Sequence, residues 1–330
     1  MKELTCFEIC AGAGGQSLGL ERAGFEHVAA VEIEREACET LRLNRPSWHV
    51  MERDIHSVDA KKFVGVDLFA GGVPCPPFSI AGKRLGEDDE RDLFPRALDM
   101  IAEAQPRAVM LENVKGLATA RFAAYRAQIL ERMSKMGYVC DWQVLNASDF
   151  GVPQLRPRFI LVGLKAEVFE FFEWPTPVTA PPTVGKVLKR LMAADGWLGA
   201  AMWAKKANVI GPTLVGGSRK HGGPDLGPTR ARAEWLRLGV DGKGLADAPP
   251  TIRHPLDHVP RLTLPMAAAV QGFPPSWRFA GRKTAAYRQI GNAFPPPVAE
   301  VVGSSIKAAL DAATSSVSGE NAERPLLRAV

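Results

Sequence analysis

The sequence predicts an α/β fold, a doubly wound and mostly parallel sheet followed by a smaller irregular segment, and three observations carry that prediction. Between residues 5 and 164, short apolar runs alternate with amphipathic stretches, the pattern of βαβ units. Near Trp174 the pattern stops. Pro175, Pro177, Pro181 and Pro182 interrupt it, and Gly and Pro then recur through Gly211-Pro212, Gly216-Gly217, Gly222-Gly223-Pro224 and Gly227-Pro228. Charge divides along the same line: residues 186–261 hold 13 Lys and Arg against 6 Asp and Glu, an excess of seven that leaves the rest of a +5 chain at about −2.

Strands are expected at residues 5–10, 28–32, 66–69, 108–111 and 159–164. Between them Leu18, Leu20 and Ala23, and later Leu98, Ile101 and Ala102, recur at helical spacing, and a more mixed helix starts at Phe122. The basic segment carries Trp197, Trp203 and Trp235, apolar anchors that a flexible linker has no use for, so it reads as a small domain built to present loops. A helical stretch from Pro265 to Val270 and a final amphipathic helix from Val298 to about Ala312 follow, and the polar tail from Thr314 is expected to be disordered.

Composition narrows the function classes. At 330 residues and 46% apolar content the chain has room for about two domains and is neither a mini-protein nor a disordered chain. No apolar run approaches the roughly 20 residues of a spanning helix, and the N-terminus lacks a secretory signal, so a cytoplasmic protein is expected. Cys6, Cys10, Cys38, Cys75 and Cys140 are odd in number with no CxxC spacing, which argues against a disulfide framework and a zinc site and leaves a nucleophile as the special role for one of them.

Four constellations carry chemistry. Cys10-Ala11-Gly12-Ala13-Gly14-Gly15 joins the first strand to a helix, where glycines let backbone N–H groups approach a ligand; the next strand ends in Glu32, placed to accept from ribose hydroxyls, and Asp54 follows the strand after. Together they suggest an adenosine-bearing cofactor, although the glycine spacing falls short of a dinucleotide fingerprint. Pro74-Cys75-Pro76 is a stiff turn after an apolar strand, at the carboxyl end where open α/β sheets bind ligands; a buried small hydrophobe and an exposed nucleophile both fit Cys75 at this point. Glu112 ends another apolar strand, a setting that raises a carboxyl pKa. Arg156 and Arg158, two apart on an extended segment, present guanidiniums to one face, either for a site or as surface charge.

The ordered set of Cys10 to Gly15, Pro74-Cys75, Glu112-Asn113-Val114, Asn146 to Arg158 and Gly291-Asn292 resembles the DNA cytosine-5 methyltransferase family, in its bacterial restriction-modification or orphan form, over residues 5 to 310. The resemblance implies a sheet of the S-adenosylmethionine-dependent methyltransferase type in residues 1–180, a target recognition domain in 181–285, a segment returning to the catalytic domain in 286–313 and a tail in 314–330. It implies S-adenosylmethionine as cofactor, S-adenosylhomocysteine as product, no metal, and a cytosine flipped out of double-stranded DNA as substrate. Catalysis falls to Cys75 as nucleophile, Glu112 at the base N3 and Arg158 holding the base oxygen, with Arg156 or Arg158 raising the thiolate fraction. Cofactor contacts fall to Cys10, Gly12, Gly15, Glu32, Ile33, Asp54, Ile55, Leu93 and Asn292. DNA contacts are expected from Lys83, Arg84, Arg219, Lys220, Arg230 and Arg232, and a monomer is expected. The sequence departs from the family at Cys10 and Ile33, where aromatics occur, at Pro76, where glutamine is common, and at Pro265-Met266, where Arg and Glu are usual. A transfer-RNA cytosine-5 methyltransferase, a nicotinamide oxidoreductase and a non-catalytic DNA-binding regulator are the competing readings.

Overall fold

The computed structural model describes residues 3–74, 92–178, 180–217 and 223–322. Chain order runs β1 (Leu4–Ile9), α1 (Gly15–Arg22), β2 (Phe25–Glu32), α2 (Arg35–Asn44), β3 (Val50–Glu52), β4 (Leu68–Gly72), α3 (Phe94–Ala104), β5 (Ala108–Val114), α4 (Ala123–Lys135) and β6 (Tyr138–Asn146). It continues through β7 (Gln154–Leu155), β8 (Pro157–Lys165), α5 (Ala166–Phe169), α6 (Val184–Met192), α7 (Ala200–Lys206), β9 (Gly211–Pro212), α8 (Thr229–Arg237), α9 (Leu264–Val270), α10 (Lys283–Asn292) and α11 (Pro296–Ala322).

Seven strands form one sheet in the order β3-β2-β1-β4-β5-β8-β6. The first five are parallel to their neighbours, and β8 runs antiparallel between β5 and β6. Side-chain alternation splits the sheet into two buried faces. Cys6, Ala70, Met110 and Val162 face α1 and α11, while Phe7, Phe69, Val109 and Leu161 face α3 and α4. Strand order reverses between β1 and β4, so a crevice opens at their carboxyl ends.

Three expectations are corrected. Strand β6 was not anticipated: it is an edge strand with alternating buried and exposed positions, and its polar residues dilute the apolar signal. The Gly/Pro-rich segment is more regular than expected, with α6, α7, α8 and α9 wrapped around Trp197, Trp203 and Trp235. That core runs on into Tyr287 and Ile290 of α10, so no break in packing falls at residue 285. The disordered tail is replaced over residues 314–322 by helix continuing α11, in which the Thr314 and Ser315 hydroxyls donate to the carbonyls of Leu310 and Asp311; residues 323–330 lie outside the described ones.

The departure at Pro265-Met266 has a local explanation. Thr263 caps α9, its hydroxyl accepting from Met266 N at 3.4 Å while Met266 Sδ accepts from Thr263 N at 3.4 Å. Met266 thus fills with a weak thioether acceptor the place a carboxylate takes in a capping box, and its buried chain packs into the core below.

Candidate functional site

The glycine turn between β1 and α1 opens the crevice. Cys10 and Gly12 adopt left-handed φ of 50° and 56°, and a Cβ at Gly12 would meet nothing within 4 Å, so that position faces open space. The other glycines serve packing: a Cβ at Gly14 would lie 2.7 Å from Leu41 and Trp277 atoms, and one at Gly15 would lie 2.1 Å from Phe294 O. Gly15, an expected cofactor contact, thus packs against the chain leading into α11 and is not among the residues lining the crevice.

The crevice is a cavity of about 560 Å³. Cys10, Gly12, Glu32, Ile33, Asp54, Ile55, Leu93 and Asn292, eight of the nine expected cofactor positions, line it. Glu32 is buried and held rigidly, Oε2 accepting from Gly12 N at 2.7 Å and Oε1 from Ile33 N and Glu34 N at 2.8 Å each. Burial pushes its pKa up while those three N–H groups pull it down. Asp54 stands beyond β3 and caps a short turn by accepting from His56 N at 2.9 Å. Ile33, 61% exposed, with Leu93 and Pro74 gives the cavity apolar walls. Burial and the carboxylates of Glu32, Glu8 and Asp54 raise the Cys10 thiol far above its ordinary value, so Cys10 stays a neutral wall. Sequence reading passed over Gln289, which lines the cavity one helical turn before Asn292; the i, i+3 spacing within α10 was the available signal.

A second cluster sits beside the cavity, where β4, β5 and β8 end. Gly72 pairs with Glu112, and a Cβ at Gly72 would come 3.3 Å from Glu112 Oε2. Arg158 Nε lies 2.8 Å from Glu112 Oε1. Burial raises the Glu112 pKa above the ordinary carboxylate value, with Arg158 and Arg156 opposing. Asn113 Nδ2 donates to Val73 O at 2.8 Å and Leu93 N to Pro74 O at 3.4 Å, fixing the chain just before residue 75. Cys75, Lys83, Arg84, Arg219 and Lys220 lie outside the described residues.

Arg156 and Arg158 share a parity but not a destination. Arg156 is fully buried, Nη1 donating to Leu214 O at 2.9 Å and Nη2 to Gly291 O at 2.8 Å and Ala293 O at 2.9 Å. Its two Nη atoms tie the chain just after β9 to the end of α10, while Nε is buried without a partner. Arg156→Met is expected to strand the buried carbonyls of Leu214 and Gly291, Ala293 O keeping the Gln271 amide as donor, and to destabilise the fold by about 3 kcal/mol, read as a fall in the urea midpoint; an unmoved midpoint would mean those two carbonyls find other donors. On α8, Arg230 pairs with Glu234 at 3.3 Å and Arg232 donates to Thr229 Oγ1 at 3.2 Å, both at the surface.

Comparison with known proteins follows the same outline. The family model described as C-5 cytosine-specific DNA methylase matches residues 4–308. The chain is 55% identical to the type II methyltransferase M.NaeI of Lentzea aerocolonigenes, over 100% of this chain and 81% of that one. It is 52% identical to the type II methyltransferase M.NgoMIV of Neisseria gonorrhoeae, over 93% and 98%. Among solved structures, Entamoeba histolytica methyltransferase EhMeth superposes with a TM-score of 0.65 at 15% identity, over 94% of this chain and 99% of that one, a likeness of fold.

Proposed function

From the premise that this chain belongs to the C-5 cytosine-specific DNA methylase family, and is a DNA cytosine-5 methyltransferase, we propose that it methylates a flipped-out cytosine at a short specific site in double-stranded DNA through a transient Cys75 adduct. The observation that carries the reading is the Glu112–Arg158 pair at the strand ends, next to the tethered Val73-Pro74 turn and the 560 Å³ cavity.

Residues of that cavity fit S-adenosylmethionine. Glu32 is pinned by backbone donors with lone pairs left for ribose hydroxyls, Asp54 adds a second carboxylate, Ile33, Ile55 and Leu93 give a ring apolar walls, and the bare face of Gly12 admits close approach. When bound, S-adenosylmethionine supplies a methyl group made electrophilic by its sulfonium centre, which an activated C5 accepts.

The chain's own residues do the activating. The Cys75 thiolate adds to C6 while Glu112 gives a proton or hydrogen bond to N3 and Arg158 turns from its carboxylate partner to the base oxygen, so C5 becomes enamine-like. A base then removes the C5 proton and the thiolate leaves, restoring the ring. The Arg158 guanidinium beside Glu112 puts positive charge at the strand ends, which favours the thiolate. Flipping costs a few kcal/mol, offset by phosphate contacts from the basic 186–261 segment, Arg230 and Arg232 among them.

Bisulfite sequencing of DNA from a host expressing the chain tests the reading. Protected cytosines at one short recurring sequence are the expected result, and full conversion throughout would overturn it. A labelled-methyl assay offering duplex DNA and transfer RNA together should label the DNA.

A further inference from the structure

The cavity wall made by α10 is not held by the catalytic sheet alone. The strand β9 leads into residues 213–217, which lie against the last turn of α10 at backbone contact. A Cβ at Gly291 would fall 2.4 Å from Gly216 N, and a Cβ at Gly216 would fall 2.5 Å from Arg288 O and 2.6 Å from Asn292 Oδ1. Only glycine on both sides permits this approach. Next to it, Asn292 Nδ2 donates to Gly217 O at 3.1 Å, and Arg156 ties Leu214 O to Gly291 O and Ala293 O. Asn292 and Ala293 line the cavity, whereas Gly216 and Gly217 do not.

We propose that the Gly216–Gly291 contact and the Asn292–Gly217 hydrogen bond form a positioning strut, through which the basic inserted segment sets the α10 wall of the cofactor cavity. The proposal rests on reading that cavity as the S-adenosylmethionine site. Its physical basis is close packing: backbone in contact with backbone transmits displacement, because neither side has a flexible side chain to absorb it. Gly216 is thus a positioning residue, acting on the cavity through Arg288 and Asn292 without touching a ligand.

Hydrogen exchange on the wild-type chain, with and without S-adenosylhomocysteine, gives one arm of the test. Amides of residues 211–217 should exchange more slowly with ligand bound, although none of them lines the cavity. Gly216→Ala gives the other: KM for S-adenosylmethionine should rise at least about fivefold, a typical coupling between sites, while kcat at saturating cofactor is retained. Ligand binding that protects the cavity peptides but leaves 211–217 unchanged overturns the strut and leaves the cofactor reading standing. Failure of the wild type to bind S-adenosylhomocysteine overturns both. Should Gly216→Ala fail to fold, the wild-type exchange decides alone.

Discussion

Cys75→Ser is expected to reduce methyl transfer by at least about 10³-fold while S-adenosylhomocysteine binding stays within twofold of wild type. The hydroxyl is far less ionised than a thiol and a poorer nucleophile toward C6. Geometry supports the assignment up to the last described residue. Gly72 is in register with Glu112 and Asn113 holds Val73 O, so the chain is fixed beside the Glu112 strand end two residues before position 75, which itself lies outside the described residues. The same variant should form no denaturation-resistant complex with 5-fluorocytosine DNA, on which the wild type should be trapped. Wild-type turnover in Cys75→Ser would remove the nucleophile from the scheme.

Glu112→Gln should cost about 10²- to 10⁴-fold in kcat, the range of a lost acid–base group, with little change in KM for the cofactor. Glutamine keeps the shape and can still donate a hydrogen bond, but it cannot transfer a proton, and it leaves Arg158 without its 2.8 Å carboxylate partner. The pH dependence follows from the direction of the shift. Burial holds the Glu112 pKa above the ordinary carboxylate value, so the proton is retained to higher pH than on an exposed glutamate. Donation is complete below that raised value and fades as pH rises through it. A rate profile should therefore show a declining limb in the wild type that is missing from Glu112→Gln; identical profiles would assign the limb to another group.

How much of this was legible in residue types can be argued from three places. The parallel strands were readable because burial on both faces makes them continuous apolar runs, as at Leu68 to Ala70, whereas Tyr138 to Asn146 runs along an edge and alternates with polar residues. Eight of the nine expected cofactor positions gather on one cavity because they sit in short motifs at the ends of strands and helices; Gly15 does not line it, and a glycine demanded by Phe294 O looks the same in sequence as one demanded by a ligand. Arg156 and Arg158 could not be told apart. Their different fates depend on Leu214, Gly291 and Ala293, which tertiary folding brings in from 58 to 137 residues away.

The long last helix has a consequence for synthesis. Its buried row of Val298, Val302, Ile306 and Leu310 covers the sheet face that Cys6, Ala70 and Met110 present, and Gly19 of α1 sits so close that a Cβ there would lie 2.5 Å from Ala299 Cβ. A nascent polypeptide that has already released all seven strands still carries one greasy face covered only in part, by α1. It must wait on the ribosome through the 130 residues between Lys165 and Pro296, the tryptophan-rich stretch included, before the lid that seals that face emerges.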